Sequence, residues 1–173
     1  QSVTIEGREF YTGENAHRWG RPVENLDNAR FVSGAPDVRA LLYAAVSRYR
    51  DTCGEIPGEL ELVVGLPQSA LSEELQEETV HGLKRWMKGE HGWSVDGTRF
   101  RMNVERVRVT TQAAGALFDY LLDDAGEFIA ARKANFKKEV GIISVGMNTL
   151  ELLVVESGSP VERWCGPRRF RRE

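Results

Sequence analysis

The sequence contains few of the residues that mark disulfide-stabilised or metal-binding proteins. Two cysteines are too few for a disulfide framework, and the three histidines stand far apart, without partners at metal-ligand spacing. We therefore expect no metal site built from protein side chains alone. No apolar run approaches the roughly 20 residues that span a bilayer, and no secretory signal segment opens the chain. Together these observations predict a cytoplasmic protein that does not bind membranes.

The sequence also lacks an excess of positive charge. It has 23 Lys and Arg against 26 Asp and Glu, which gives a net charge of −3. Proteins that bind nucleic acid need clustered basic residues to contact phosphates, so direct nucleic-acid binding is not expected. Hydrophobic residues make up 41% of the 173 and charged residues 28%, which is typical of a folded domain.

Apolar periodicity predicts a mixed α/β protein. Helical spacing of apolar residues recurs in three segments, and alternating or β-branched runs predict three hairpins and a further strand. A third strand beside the last hairpin is predicted at 161–164, and a basic, mobile tail follows it. The helices are predicted at residues 36–51, 71–89 and 112–124, the hairpins at 2–12, around Asp96-Gly97 and at 140–155, and the further strand at 59–65. The strand that begins near Phe100 is either one long strand or two joined by a bulge.

The stretch VGIISVGMNTLELLVVESG, residues 140–158, organises the rest of the chain. Two apolar runs rich in β-branched residues flank a short polar segment, and Gly146 lies where the chain must reverse. This pattern predicts a β-hairpin with a glycine-containing bend. Backbone N–H groups in such a bend can point towards an anion.

Four segments resemble, in order and spacing, the actin-like ATPases, especially the ParM-like plasmid-segregation proteins and their archaeal relatives. The segments are GREFYTGENA, LELVVGLPQSAL, VRVTTQAAGALFDYLLDDAG and VGIISVGMNTLELLVV. The resemblance implies an actin-like (ribonuclease-H-like) mixed sheet with flanking helices. It also implies that residues 1–173 are a partial first lobe, incomplete on the N-terminal side, with a small subdomain at 70–101. The family's first phosphate loop and second lobe are not among these residues.

The resemblance gives Gln112 a catalytic role. Gln112 follows the predicted strand VRVTT and precedes a predicted helix, where actins place a glutamine that orients the attacking water. Positioning of water in line with the γ-phosphate is a real catalytic task, because phosphoryl transfer needs little covalent chemistry from the protein. An amide suits it, since it both donates and accepts hydrogen bonds. The alternative is a polar residue at a helix start that only faces solvent.

The resemblance also makes the bend of the last hairpin a phosphate loop. The family pattern begins with Asp, and here Ser144 stands in its place, followed by Gly146, Thr149 and Glu151. The implied phosphate-binding residues are Ser144, Gly146, Asn148 and Thr149, and Glu151 keeps a supporting carboxylate. Because Mg²⁺ prefers charged oxygen ligands, the hydroxyl of Ser144 is expected to weaken metal binding. An ordinary hairpin turn without a ligand is the alternative.

The function implied by the resemblance is ATP hydrolysis, with Mg²⁺, coupled to filament assembly in DNA segregation or a cytoskeleton. The implied partners are further copies in a filament, a second lobe, and an adaptor protein. Ser144 and the missing first loop argue against activity of this chain alone. A non-catalytic actin-like scaffold or interaction module is the alternative. A sugar-kinase-like enzyme is disfavoured, because the sequence shows no sugar-binding pattern.

Overall fold

The computed structural model of the chain describes residues 1–23, 27–56, 58–71, 76–145, 149–161 and 166–169. The chain divides into two compact units, each described by itself below. Unit 1 consists of residues 1–62 and 77–108, and unit 2 consists of residues 63–76 and 109–173. The small subdomain expected at 70–101 stays a prediction.

The described residues form two sheets and five helices. The strands are β1 Ser2–Ile5, β2 Arg8–Tyr11, β3 Glu59–Leu66, β4 Gly89–Val95, β5 Thr98–Thr111, β6 Glu139–Val145, β7 Thr149–Glu156, β8 Ser159–Pro160 and β9 Gly166–Arg169. The five-stranded sheet has the order β2-β1-β4-β5-β3, and the second sheet has the order β6-β7-β8, with β9 also paired to β7. The helices are α1 Asn28–Ser33, α2 Pro36–Cys53, α3 Gln76–Met87, α4 Gln112–Leu121 and α5 Ala130–Lys133, with short 3-10 turns at Ala16–Arg18, Gln68–Leu71 and Ala134–Lys137.

Two of the predicted hairpins lie in unit 1 and are confirmed. Glu6 and Gly7 turn β1 into β2 with φ angles of 50° and 77°, and Asp96 and Gly97 turn β4 into β5 with φ angles of 48° and 82°. Two successive positive φ angles define the turn whose twist matches that of paired strands. The Asp96-Gly97 pair is therefore a turn signal that the sequence shows directly.

The helix expected at 36–51 is α2, with Pro36 in its first turn. The preceding α1 is not among the helices that the sequence predicts. The guanidinium of Arg30 in α1 donates to both carboxylate oxygens of Asp37, at 3.1 and 2.7 Å. These hydrogen bonds hold the pKa of Asp37 below its usual range. None of the described helices is both long and apolar enough to cross a membrane.

An aromatic stack forms part of the core of unit 1. The rings of Tyr43 and Trp93 stack with centroids 4.6 Å apart, and Trp93 stacks on Phe100 at 5.5 Å. The guanidinium carbon of Arg50 lies 4.4 Å from the Phe100 centroid, within cation–π range. The indole N–H of Trp93 donates to Ser47 Oγ at 2.9 Å, and Ser47 in turn donates to the Tyr43 carbonyl. The buried polar groups of this core are therefore paired.

His91 is buried beside this stack and has one fitting tautomer. Its Nε2 atom lies 2.8 Å from the Met87 carbonyl oxygen, which can only accept. Nε2 therefore carries the hydrogen, and Nδ1 accepts from the Tyr43 hydroxyl at 2.9 Å. Burial raises the pKa of Tyr43, so this hydroxyl keeps its proton and remains a donor.

β5 is one strand of 14 residues. Its burial alternates regularly through Phe100, Met102 and Val104, and the next buried residue is Val107. The two residues 105–106 are both exposed, so the buried face changes phase there. Arg106, the second of these residues, and Arg108 both form ion pairs with Glu61 of β3. The strand is therefore continuous, as the first alternative has it, with an irregularity at residues 105–106 of the kind that the second alternative expects.

The core of unit 2 lies between α4 and the β6–β7 hairpin. Its buried residues are Ala113, Leu117, Leu121, Leu153 and Val155. The helix predicted at 112–124 ends at Leu121, three residues earlier than expected. The hairpin predicted at 140–155 is confirmed, with the strand register running from Glu139↔Glu156 to Val145↔Leu150.

Two predicted elements fall partly outside the described residues. Of the third strand expected at 161–164, Val161 lies outside the strands and residues 162–164 lie outside the described residues, whereas β9 pairs with β7 through Gly166↔Leu152. Four residues of the tail expected to be mobile are therefore in a sheet, because β7 offers them its backbone hydrogen bonds. The helix expected at 71–89 begins at Gln76 among the described residues, after a 3-10 turn at Gln68–Leu71; residues 72–75 lie outside them.

Candidate functional site

The candidate site lies in unit 2, where α4 begins directly after β5. Thr111 caps the helix, because its hydroxyl oxygen accepts from the backbone N–H of Ala114 at 3.2 Å. Gln112 is the first residue of the helix and its side chain is exposed. No hydrogen bond to another described residue holds its amide, which leaves both the donor and the acceptor open to a ligand or water.

The end of β3 lies against this start of α4. A Cβ atom placed on Gly65 would lie 3.4 Å from both Cα and Cγ of Gln112. Three residues further on, Gln68 carries a side-chain oxygen that is buried and has no hydrogen-bond partner, alone among the buried side-chain atoms that the structure describes. A buried acceptor without a donor costs stability, so such a group needs an explanation other than packing.

The β6–β7 hairpin carries two of the predicted site residues on one face. Ser144 of β6 and Glu151 of β7 stand directly opposite each other. Because side chains alternate along a strand, this pair shares a face with Ile142 and Leu153. Leu153 belongs to the core that α4 covers, and Ile142 packs against that core. Ser144 and Glu151 therefore lie on the side of the hairpin on which α4, with Gln112 at its start, also lies.

The remaining predicted site residues are described only in part. Thr149 begins β7, so the backbone after the bend is placed. Gly146 and Asn148 lie outside the described residues. The phosphate-loop role of all three stays a prediction.

Glu151 is a carboxylate enclosed by protein. It is 5% exposed and makes no ion pair within the described ranges. Its neighbour Ser144 is half-buried and uncharged. The described residues contain no group of three or more His, Cys, Asp and Glu that could hold a metal ion. This donor set therefore fits Mg²⁺ only when nucleotide phosphates and waters supply most of its ligands.

Sequence reasoning missed three features of this site. The cap at Thr111 could have been found, because Thr before an apolar helix is a known start signal. The contact of Gly65 with Gln112 joins residues that are far apart in the sequence, and the unpaired oxygen of Gln68 depends on burial. Neither leaves a signal in a single sequence.

Comparison with protein families and solved structures gives a consistent result. Residues 1–115 match the family model described as the N-terminal domain of actin-like proteins. No individual curated protein matches the chain. The structure resembles that of the actin-like protein Alp7A, with a TM-score of 0.68 and 17% identity, over 97% of this chain and 46% of Alp7A.

Two further solved structures show the same fold. The apo ParM protein of psk41 has a TM-score of 0.68 and 15% identity, over 97% of this chain and 51% of ParM. AlfA, from a B. subtilis plasmid and solved as a filament, has a TM-score of 0.62 and 20% identity, over 97% of this chain and 55% of AlfA. At these identities the likeness shows the fold alone. The chain spans about half the length of each of these proteins.

Proposed function

Since the chain belongs to the actin-like proteins, through their N-terminal domain, we propose that it is part of a nucleotide-binding protein that couples ATP hydrolysis to filament assembly. The activity would serve DNA segregation or a cytoskeleton in the cytoplasm. The observation that carries the proposal is the position of Gln112. Its amide, to which no described residue makes a hydrogen bond, begins α4 on the same side of the hairpin as Ser144 and Glu151.

Structures of relatives support the ligand and the assembly. The AlfA filament has been solved bound to AMPPNP, and Ta0583, an archaeal actin homologue, in complex with ADP. AlfA and Alp12 have been solved as filaments. We propose ATP with Mg²⁺ as the ligand here, and further copies of the protein as partners. A second lobe would complete the nucleotide cleft, and an adaptor protein would connect the filament to its cargo.

In this proposal Gln112 orients the water that attacks the γ-phosphate. The amide can accept a hydrogen bond from that water while it donates to a phosphate oxygen. Its exposure and its lack of a described partner support this role, because an amide already held by the protein could not turn to the water. The side chain contributes position, and no proton needs to be transferred to it.

Ser144, Gly146, Asn148 and Thr149 would bind phosphate oxygens in this proposal. A bend between two paired strands can present several backbone N–H groups to one anion. Mg²⁺ bound with the nucleotide would neutralise charge that develops on the phosphates. The buried carboxylate of Glu151 would accept hydrogen bonds from groups on the same face, including Ser144.

A specific observation favours a second candidate function, a non-catalytic actin-like scaffold or interaction module. Ser144 stands where the family has the Asp associated with the metal, and no carboxylate replaces it on β6 near the bend. A hydroxyl attracts a hydrated cation far less than a carboxylate does. A chain that had lost nucleotide binding could keep this fold for its surfaces alone.

We expect residues 1–173 alone to release no phosphate from ATP above background, because they carry Ser144 and one of the two phosphate loops that the family uses. In the gene product that contains them, we expect hydrolysis, and we expect Gln112→Ala to lower kcat by about 10²-fold with little change in KM. An interaction made only in the transition state changes kcat in this way. A phosphate-release assay measures both.

Gln76→Ala is the matched control. Gln76 is likewise an exposed glutamine at the first position of a helix, and it has no part in the proposed site. We expect this variant to keep full activity. Equal kcat in Gln112→Ala and Gln76→Ala would mean that Gln112 has no catalytic role. Phosphate release by residues 1–173 alone, abolished by Gln112→Ala, would show that one loop is enough.

A further inference from the structure

Gly65 lies on the exposed face of β3 near its C-terminal end. Exposed and half-buried residues alternate along this strand, so residue 65 shares its face with Glu61 and Val63, and Val63 is 67% exposed. A side chain at 65 would therefore be expected to point outward. Gly65 does not have a positive φ angle. Backbone conformation does not require glycine here.

The place of the missing side chain is taken by Gln112. A Cβ atom at residue 65 would lie 3.4 Å from Cα and Cγ of Gln112 and 3.7 Å from its backbone N. A Cβ alone would make ordinary van der Waals contact with these atoms. A β-branched side chain would add two γ atoms beside this contact, and we expect α4 or its first side chain to shift to make room for them.

From this geometry we propose that Gly65 is a positioning residue for Gln112. The bare backbone of β3 lets the first turn of α4 lie directly against the strand and fixes where the amide starts. This inference rests on the proposed function only in one respect, the catalytic role of the Gln112 amide. The contact itself is independent of nucleotide.

A comparison of two glycines supports this reading. Gly141 in β6 is exposed, has no positive φ angle and belongs to the same unit, but a Cβ there would have no neighbour within 4 Å. Glycine in a strand weakens it, because it packs nothing and gives up more backbone freedom. At Gly141 a side chain would meet open space, so glycine there only weakens the strand. At Gly65 glycine weakens the strand in the same way, but it also allows close contact with a residue of the proposed site.

The test uses Gly65→Ala, Gly65→Val and the control Gly141→Val, each in residues 1–173. The backbone and side-chain amide signals of Gln112 are followed by ¹⁵N NMR, and the side-chain pair is assigned by its loss in Gln112→Ala. We expect Gly65→Val to move these signals and those of Ala113 and Ala114, Gly65→Ala to move them less, and Gly141→Val to leave them in place. Unmoved Gln112 signals in folded Gly65→Val would overturn the proposal.

A second arm covers the case in which Gly65→Val does not fold. Because Cγ is one of the two Gln112 atoms nearest the new Cβ, Gln112→Ala in the same chain should recover part of the stability that a side chain at 65 removes, as a coupled pair does in a double-mutant cycle. Purely additive losses in the cycle Gly65→Ala with Gln112→Ala would contradict the proposal. In the gene product, Gly65→Val should lower kcat for ATP by at least about tenfold at unchanged KM, since misplacing a catalytic group by about 1 Å is that costly. If the gene product binds no ATP at all, the proposed function fails, and the NMR arm still decides the role of Gly65.

Discussion

Gly34→Ala is expected to destabilise unit 1 by about 2–5 kcal/mol. Gly34 ends α1 in the left-handed conformation, with φ 65° and ψ 48°, where a Cβ costs roughly 1–2 kcal/mol. The new Cβ would also lie 2.4 Å from two ring atoms of Trp86. Trp86 cannot retreat freely, because its indole N–H donates to the Phe31 carbonyl at 3.0 Å. Overpacking of this kind adds about 1–3 kcal/mol.

Gly97→Ala separates the two contributions to this effect. Gly97 has a similar positive φ of 82°, but a Cβ there meets nothing within 4 Å. We therefore expect this variant to lose only the conformational part, about 1–2 kcal/mol. Urea denaturation followed by tryptophan fluorescence measures both variants. Equal losses would mean that the contact of Gly34 with Trp86 does not constrain the fold.

Leu121→Ala is expected to cost about 2–5 kcal/mol in unit 2, the usual range for a buried leucine. Leu121 is fully buried in the core that joins α4 to the β6–β7 hairpin, beside Leu117, Leu153 and Val155. A cavity there would loosen the packing that keeps α4 on the face of Ser144 and Glu151. Because the chain has two units, hydrogen exchange at the amides of β7 reports this loss more directly than a global melt.

Leu41→Ala provides the control for this loss. Leu41 is also a helical leucine, in α2, but it is 46% exposed. We expect it to cost no more than about 0.5–1 kcal/mol and to leave exchange in β7 unchanged. Faster exchange in β7 for both variants, or for neither, would contradict the assignment of Leu121 to the core of unit 2.

The long regular elements of this fold could be predicted because their signals are local. The apolar residues of α2 and α4 recur at helical spacing, and Asp96-Gly97 is itself a turn signal. The β6–β7 hairpin follows from two β-branched runs around a short polar segment. Each of these signals lies within the element that it predicts.

The elements that were missed are held by contacts with other segments of the chain. The six residues of α1 are too few to show a period, and the helix is fastened by Arg30 to Asp37 and by the indole of Trp86 to Phe31. β9 pairs with β7 although its sequence, Gly-Pro-Arg-Arg, has low strand propensity. The partner strand decides its conformation, so the segment alone does not reveal it.

The candidate site was predictable to the extent that it follows a strand-to-helix pattern. Gln112 at the start of α4 and the pairing of Ser144 with Glu151 follow from the two predicted elements and the hairpin register. The contact of Gly65 with Gln112 and the burial of Glu151 depend on how those elements pack. Gly146 and Asn148 remain predictions, and so does every role that involves a nucleotide.

We propose that the hairpin carries a phosphate loop in which Ser144 stands where the metal-associated carboxylate would be. Restoring that carboxylate with Ser144→Asp should raise the affinity for Mg-ATP about five- to tenfold in the gene product. Hydrogen bonds to charged groups exceed neutral ones by about 1 kcal/mol. Without nucleotide, the new charge faces Glu151 directly, and like charges across a strand pair should cost roughly 0.2–1 kcal/mol of stability.

Isothermal titration of Mg-ATP into the gene product, its Ser144→Asp variant and a Ser159→Asp control tests this claim most directly. Ser159 is an exposed residue of β8 in the same sheet, so its replacement adds the same charge away from the site. The account predicts tighter, Mg²⁺-dependent binding in Ser144→Asp alone. Absent binding in all three proteins, or equal binding in all three, would contradict it and leave the non-catalytic scaffold as the better description.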